Sequence, residues 1–509
     1  MTSLLDNVTS NTQYRQTIII VLASILAVVL HWIDTRVPNE KRREKRREHV
    51  FPSVPPGRGG YKKAQARYSR HAGEMIEEGL RKVGESTAFW VPTMIGPTMV
   101  TPRKYLAEIK NHPDLSLSEY VMDKFGCQTG FGSVVASRNF LMVVRRITQS
   151  LGHVTGAISD EAVLALDEKI PLTDEWSSHK LNPAIRDVVA RVSHRILLGD
   201  SLCRNERWLD ITLIFNKAAI SAGMELRRFG HLLAPIVKGW LSSYTSFRKA
   251  SGDANNLITD IVRERRQQAK EQGDAYVPPN DALQWAMDLG EPDCNLANFQ
   301  LFLAFVAIHN TSSALIHLIY DLCMYPEYIE MLREEVREVI GDGDFTARSQ
   351  VMKLKKMDSV LKESQRLHPI QNATMQRKAT KDIELSDGFK IYAGEYIQTS
   401  TSVLRDPRIY SEPGTFDGLR FYKMRQQIGQ QHAHQFASTS EKFFGFGHGK
   451  HACPGRFIAA MEIKITLAHL LMRYDFEFPE GQTERPKNIF FEEAIVPNMD
   501  QEVLFRRRR

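Results

Sequence analysis

Cysteine is scarce in this chain: five residues in 509, namely Cys127, Cys203, Cys294, Cys323 and Cys453. None stands in a Cys-x-x-Cys pair, which excludes zinc ribbons, thioredoxin-type redox pairs and a disulfide framework as organising devices. An odd, scattered set fits a catalytic part kept in a reducing compartment, with most of these thiols serving as small core hydrophobes. Also missing are the Gly-x-Gly-x-x-Gly turn of dinucleotide folds, the Walker loop and any flavin fingerprint. Redox chemistry in this chain would therefore draw its electrons from another protein. No internal repeat appears. The net charge of +7 is not spread as a basic stripe interleaved with aromatics, so nucleic acid is excluded as a partner.

The charge is instead clustered, in Lys41 to Arg47 and again in Arg506 to Arg509. The first cluster follows directly on the apolar run Thr17 to Ile33, which has Trp32 near its end. That run is just long enough to cross ~30 Å of hydrocarbon. A cleaved signal peptide would carry its charges before the apolar run, not after it. By the positive-inside rule, the expectation is a lumenal N-terminus over 1–16, a transmembrane anchor over 17–34 and a cytosolic remainder. This describes a single-pass protein of the endoplasmic reticulum membrane. A basic, Pro-rich linker follows over 35–57, stiffened by the prolines of Phe51 to Gly57. Asn7-Val8-Thr9 would then be a lumenal glycosylation acceptor.

From residue 58 to 509 the expectation is one large, mainly α-helical catalytic domain with a small β region. The 42% of hydrophobic residues can fill a sizeable core. Amphipathic periods recur at 72–83, 208–223, 253–271 and 328–340. Strand-like pieces at Phe389–Tyr392 and Tyr396–Thr399 flank Ala393-Gly394. QQHAHQ, with His432 and His434, reads as a solvated insert rather than a metal site.

The chemistry lies in FGFGHGKHACPGRF, Phe444 to Phe457. Phe446, Gly449, His451, Cys453 and Gly455 fill the spaced pattern Phe-x-x-Gly-x-His-x-Cys-x-Gly. One cysteine between glycines, followed by Pro454 and an apolar run, is a thiolate presented by a tight loop at a helix start. Glycines let the backbone approach a porphyrin face, and amides at a helix start favour the charged thiolate. Such a thiolate suits the fifth coordination position of haem iron, because it pushes electron density to the metal.

Three more elements lie upstream in order. ESQRLHP puts Glu363 and Arg366 on one helix face among apolar neighbours, where buried charges need partners. The run Leu301 to Leu322 is too apolar for a surface helix and carries Ala307-Ile308-His309-Asn310-Thr311 near its middle. MQRKATKDIEL carries Arg377, suited to a bidentate contact with a carboxylate.

Together these segments, from about Pro52 onward, resemble the cytochrome P-450 family. The resemblance implies Cys453 as axial ligand of the iron of haem b, with Phe446 packed beside the haem. It implies Arg377 and His451 as propionate partners, with Arg145 and Arg146 as further candidates. Glu363, Arg366 and Arg420, the last from Phe416-x-x-x-Arg420-Phe421, would lock the core, with Gly418 loosening a turn where proline is common. Thr311 would face the oxygen site. Asn310 replaces the family's usual acid and Ile308 its glycine, so proton delivery would run through ordered water rather than a carboxylate. The implied activity is monooxygenation of an apolar small molecule with O2 and electrons from NADPH through NADPH-cytochrome P-450 reductase. That reductase would dock near Lys442, Lys450, Arg456, Lys355 and Lys356. The wording is nearest filamentous-fungal members acting on diterpenes and indole-diterpenes. Substrate contacts are expected near Gln128–Val135, Phe215–Ala222 and Ile495–Met499. Two alternatives stay open: a haem-thiolate enzyme that rearranges or dehydrates its substrate without O2, and a non-catalytic haem sensor.

Overall fold

One apolar helix is buried among the other core helices. The computed structural model describes residues 60–125, 137–341 and 343–509, together with Ser24, Pro52 and Val134. The expected anchor, linker and glycosylation acceptor Asn7 lie outside the described residues, apart from Ser24 and Pro52.

The longer helices are α1 (Gly60–Val83), α2 (Leu117–Phe125), α3 (Arg138–Lys169), α4 (Leu181–Leu198) and α5 (Glu206–Leu226). They continue as α6 (Ser242–Gln272), α7 (Asp293–Met324), α8 (Glu327–Ile340), α9 (Lys355–Leu367) and α10 (Arg456–Arg473). All four amphipathic periods of the sequence fall inside these helices, and each helix extends beyond its period. Caps explain some of the extension. The Ser137 side chain accepts from Asn139 N at the start of α3, and Asn205 accepts from Trp208 N at the start of α5. The α9 start is capped from outside, by the Glu335 carboxylate of α8 accepting from Lys356 N and Met357 N at 2.6 and 2.8 Å.

The strands are β1 (Phe89–Thr93), β2 (Gly96–Val100), β3 (Leu115–Ser116), β4 (Ser177–Lys180), β5 (Ala373–Ala379), β6 (Ile383–Glu384), β7 (Lys390–Ile391), β8 (Tyr396–Ser400), β9 (Tyr474–Glu477), β10 (Ile489–Phe491), β11 (Ala494–Val496) and β12 (Glu502–Arg507). The main sheet has the order β1-β2-β8-β5-β3, with β2 and β8 parallel and the other pairs antiparallel. The two strand-like pieces around Ala393-Gly394 do not pair with each other. Gly394 takes φ +82°, and the chain passes from β7, paired with β6, to β8 in the main sheet.

Helix α7 packs against α4, α6, α9 and α10. Leu301, Ala304, Ile308, Leu315, Leu318 and Ile319 are all fully buried along it. Burying each large aliphatic side chain contributes about 1.5–3 kcal/mol, so α7 is a principal source of core stability. By length and composition alone it could cross a membrane, yet most of its apolar stretch is inside the domain.

Next to it, α9 carries the buried ion pair that the sequence promised. Glu363 and Arg366 are both fully buried, joined by two bonds of 2.8 Å. Arg420 Nε reaches the same carboxylate at 3.1 and 3.2 Å. Arg366 also donates to the carbonyls of Leu404 and Pro413 at 2.8 and 2.7 Å, tying α9 to the loops that precede Arg420. Gly418 does not loosen this turn. A Cβ there would stand 2.7 Å from the Tyr328 ring, and Gly418 N donates to Tyr328 Oη, so the glycine seats that ring.

The insert before the haem loop is solvated only in part. His432 is exposed, but Phe436 is buried. Lys362 of α9, itself buried, donates to the carbonyls of Gln435 and Ser438 and lies over the Phe443 ring at 4.1 Å.

Candidate active site

The loop holding Cys453 is shaped by its glycines and by main-chain bonds. Gly447 and Gly449 take φ +68° and +78°, a region closed to most side chains. A Cβ on Gly449 would also stand 2.5 Å from Asn111 Oδ1, whose oxygen instead accepts from Lys450 N. Gly447 N donates to Phe444 O and Cys453 N to Phe446 O, closing the turn under the sulfur. Arg456, the first residue of α10, clamps it with bonds to Cys453 O and Ala437 O. That inward commitment removes Arg456 from the expected docking set, whereas Lys442, Lys450 and Lys355 are exposed.

The Cys453 side chain lines a cavity of about 420 Å³. Burial pushes its thiol above the ordinary value. The amides of Gly455 and Arg456, which hydrogen-bond the sulfur, and the Arg456 charge oppose that shift. The helix-start donors expected from the sequence are therefore in place but do not outweigh burial. A bound metal cation would, since a coordinating thiol is deprotonated by the metal's own charge.

The same cavity is lined by Phe446, His451 and Arg377, and by Ala307, Asn310 and Thr311 of α7. The central helix and the cysteine loop thus meet on one space. Phe446 stacks edge-on against Phe436 at 5.1 Å. Ile308 is fully buried on another face of α7, leaving Ala307 as the small residue at the wall. Thr311 is almost fully buried, with no hydrogen bond among the described residues. The back-bond to the helix is made by Ser312, to His309 O at 3.1 Å. The Thr311 hydroxyl is accordingly uncommitted. His309 is held below its ordinary pKa by burial and by the Arg186 charge, so it is neutral.

Arg377 reaches the cavity because β5 is irregular. Its register with β8 shifts between Thr374 and Arg377, and Met375 takes φ +57°. The bulge breaks the in–out alternation of a strand, so Thr374, Met375, Gln376 and Arg377 all line the wall. Burial lowers Arg377 to about 10, still protonated at neutral pH. Its Nη1 donates to Gln376 O, while Nε and Nη2 have no partner among the described residues. His451 is lowered to about 4 by burial, then by the charges of Arg377 and Lys450, leaving a neutral ring with one N–H to donate.

Arg145 and Arg146 do not join them. Both face away from the cavity, and Arg146 pairs with Asp288 at 3.6 Å and lies over the Trp285 ring. The opposite face of α3, Phe140, Val144 and Ile147 at helical spacing, lines the cavity in their place.

Substrate-facing positions also differ from expectation. Phe215 packs on Phe247 of α6 at 5.1 Å, and none of 215–222 lines the cavity. Ile495 N donates to Ile370 O, so the β10–β11 hairpin backs the wall and Ile370 faces inward. Val134, from 128–135, is buried; the rest of that stretch lies outside the described residues. The lining missed from sequence includes Phe302, Leu303 and Val306, one and two turns before Thr311, which helical spacing could have supplied. Ser193, Ile196 and Leu197 of α4 carried no signal at all.

These walls fit a haem. They offer a thiol at the end of a Gly-rich turn, a cationic guanidinium with two unpaired donors, and apolar surfaces elsewhere.

Comparison with known proteins agrees with this geometry. A family profile described as cytochrome P450, written P-450 here, matches residues 147–505. A cytochrome P-450 monooxygenase of Emericella nidulans is 37% identical, over 87% of this chain and 84% of its own. One of Penicillium rubens is 39% identical over 83% and 84%, and one of Penicillium canescens 35% over 87% and 85%. Among solved structures, a retinoic-acid-bound cyanobacterial cytochrome P-450 shares the fold at 16% identity and a TM-score of 0.65, over 87% of this chain and 96% of its own. The fold, the cysteine loop facing α7 across one cavity and these relatives lead to one conclusion: this chain belongs to the cytochrome P-450 family of haem-thiolate monooxygenases.

Proposed function

We propose that this protein is a membrane-anchored monooxygenase of fungal secondary metabolism that oxidises an apolar small molecule of terpenoid type. The observation carrying the reading is that Cys453 and Thr311, from separate elements, share one cavity whose other walls are largely apolar. The bound group would be haem b, held by Cys453 at the iron and by Arg377 and His451 at the propionates. When bound, that haem would supply the activation of O2.

The residues divide the remaining work. Phe302, Leu303, Val306 and Phe140 exclude water and orient an apolar substrate without fixing it by hydrogen bonds. Ala307 leaves room beside the porphyrin. The uncommitted hydroxyl of Thr311 can donate a proton and accept one in turn from water. Asn310, with an amide in place of a carboxyl, can hold such a water in place but cannot give up a proton. Glu363, Arg366 and Arg420 keep α9 and the loops around the haem in register.

Electrons would come from NADPH through a cytochrome P-450 reductase with an acidic docking face, steered by Lys442, Lys450 and Lys355. The apolar run over 17–34 would anchor the chain in the endoplasmic reticulum membrane, with residues 1–16, including Asn7, lumenal. Co-expression with a reductase in yeast, feeding with diterpenes under 18O2 and mass spectrometry of the products test the reading. One labelled oxygen atom in a product is the expected result, lost together with the red-shifted carbon monoxide band in Cys453→His. Conversion without label would instead favour rearrangement or dehydration, the reading supported by the amide at Asn310.

A further inference from the structure

Glu462 is a buried acid with no part in the scheme above. It lies on α10, further along the helix from Cys453, and its side chain is on the wall of the same cavity with 2% of its surface exposed. Its hydrogen-bond partner among the described residues is a neutral one. Ser193 Oγ, from α4, donates to Oε2 at 3.1 Å.

The buried cations on α10 and on the helices packed against it are committed elsewhere, as is the half-buried Arg473. Arg191 of α4 is bound to Glu161 and Glu168, Lys464 to Asp358, Arg473 to Asp167, and Arg333 of α8 to Asp475. His469 bonds Ser159, and burial keeps both His469 and His194 neutral. Among the described residues, no charged group acts on Glu462. Burial raises it to about 8, and the Ser193 bond offsets part of that. An ionised carboxylate on an apolar cavity wall with one hydroxyl for company is a costly arrangement.

We propose that Glu462 meets the haem as a neutral carboxylic acid, hydrogen-bonded to Ser193 so that α10 and α4 are held together at this wall, and that haem retention depends on its keeping that proton. The inference rests on the haem cavity assigned above and adds a residue to it.

The direction of the pH effect follows from linkage. Filling the cavity removes the remaining contact with water, so the carboxyl holds its proton more tightly with haem bound than without. Below the haem-free value the group is protonated in both states and binding is insensitive to pH. Above about pH 8 the haem complex must hold a proton that the empty protein has lost, and affinity falls by up to tenfold per pH unit.

The equilibrium partition of haem between the full-length protein and apomyoglobin, followed in the Soret band between roughly pH 6.5 and 9.5, reads this directly. The ratio of haem on apomyoglobin to haem retained at equilibrium should, for the wild type, rise by up to tenfold per unit above about pH 8. Glu462→Gln, which keeps the size and the bond to Ser193, should show no such rise. Ser193→Ala removes a bond that favours the ionised form, so its rise should move to higher pH. A loss of packing alone would move it lower. A flat wild-type profile, a Gln variant that keeps the wild-type rise, or a downward shift in Ser193→Ala would each overturn the assignment. A wild type lacking the thiolate-type carbon monoxide band at neutral pH would instead overturn the haem site itself.

Discussion

Replacing Glu363 by Gln withdraws the one negative charge that a fully buried and a mostly buried guanidinium group share. Arg366 is fully buried and holds that carboxylate through two bonds of 2.8 Å, while Arg420, 11% exposed, adds Nε at 3.1 Å. Asp417 N also donates to it, a bond the Gln oxygen can keep. After the change Arg366 retains the carbonyls of Leu404 and Pro413 but has no counter-charge. Leaving a buried charge unpaired costs about 3–5 kcal/mol. Two cations lose their partner at once, so the upper part of that range is expected. With a urea dependence of roughly 4 kcal/mol per molar for a domain of this size, the unfolding midpoint should fall by about 1 M. Asp260→Asn is the matched control. It breaks a 3.0 Å pair with Arg263 in which both side chains are more than 70% exposed, worth no more than ~0.5 kcal/mol. Urea titrations of the haem-loaded proteins by far-ultraviolet circular dichroism make the comparison. Equal midpoints for the two variants would refute the argument that this network locks the fold.

Thr311→Ala should uncouple the cycle: NADPH consumption continues, peroxide accumulates and product per NADPH falls several-fold. Unchanged coupling would assign proton delivery to another group. Gly418→Ala forces a Cβ to within 2.7 Å of the Tyr328 ring and should cost about 1–3 kcal/mol, read as a lower thermal midpoint; an unaltered midpoint would mean that the ring moves freely. Reversing Lys442 and Lys450 to Glu should slow iron reduction by the reductase, more at low salt than at high, while peroxide-driven turnover is spared; equal losses in both assays would point to damage at the haem loop. Removing residues 1–36 should abolish carbonate-resistant membrane association and leave haem binding intact, and resistance in the truncated form would contradict a single N-terminal span.

The candidate site was legible where chemistry imposes a local pattern. Cys453 needs glycines around it, Glu363 needs Arg366 one turn away, and Thr311 needs a small neighbour at Ala307; each demand leaves a mark within a few residues. What could not be read depends on contacts between distant segments. Ser193 and Glu462 meet only because α4 and α10 pack together, and nothing near either residue announces the other. Arg145 and Arg146 misled for the reverse reason: an arginine within about one residue of the expected spacing says nothing about which face of α3 turns inward. The bulge that brings Thr374 to Arg377 onto one wall was equally hidden, since a regular strand would have turned half of them away. For the fold, the helical periods were sound, whereas the two strands beside Gly394 gave no sign that they join different sheets.

The central helix α7 has a consequence for how the protein is made. If the chain is threaded into a membrane at its start, the same insertion machinery later meets a second segment that qualifies for insertion by length and composition. What argues against its insertion is the polar set in and after its middle: His309, Asn310, Thr311, Ser312, His317 and Asp321. Asp321 stands in the last turn, where an aspartate costs less than the ~2.5–3.5 kcal/mol of a central position. The polar groups near the middle, His309 to Ser312, must therefore carry much of the penalty. Inside the folded domain three of these side chains find partners: Ser312 donates to His309 O, His317 Nδ1 meets Arg485, and Asp321 binds Arg485 and Ser364. Residues placed for oxygen chemistry and core packing thus double as a topological veto. If the N-terminal run is the single span proposed, mutating several of them to apolar side chains would risk adding a second span and a misfold, with the cysteine loop on the wrong side of the membrane.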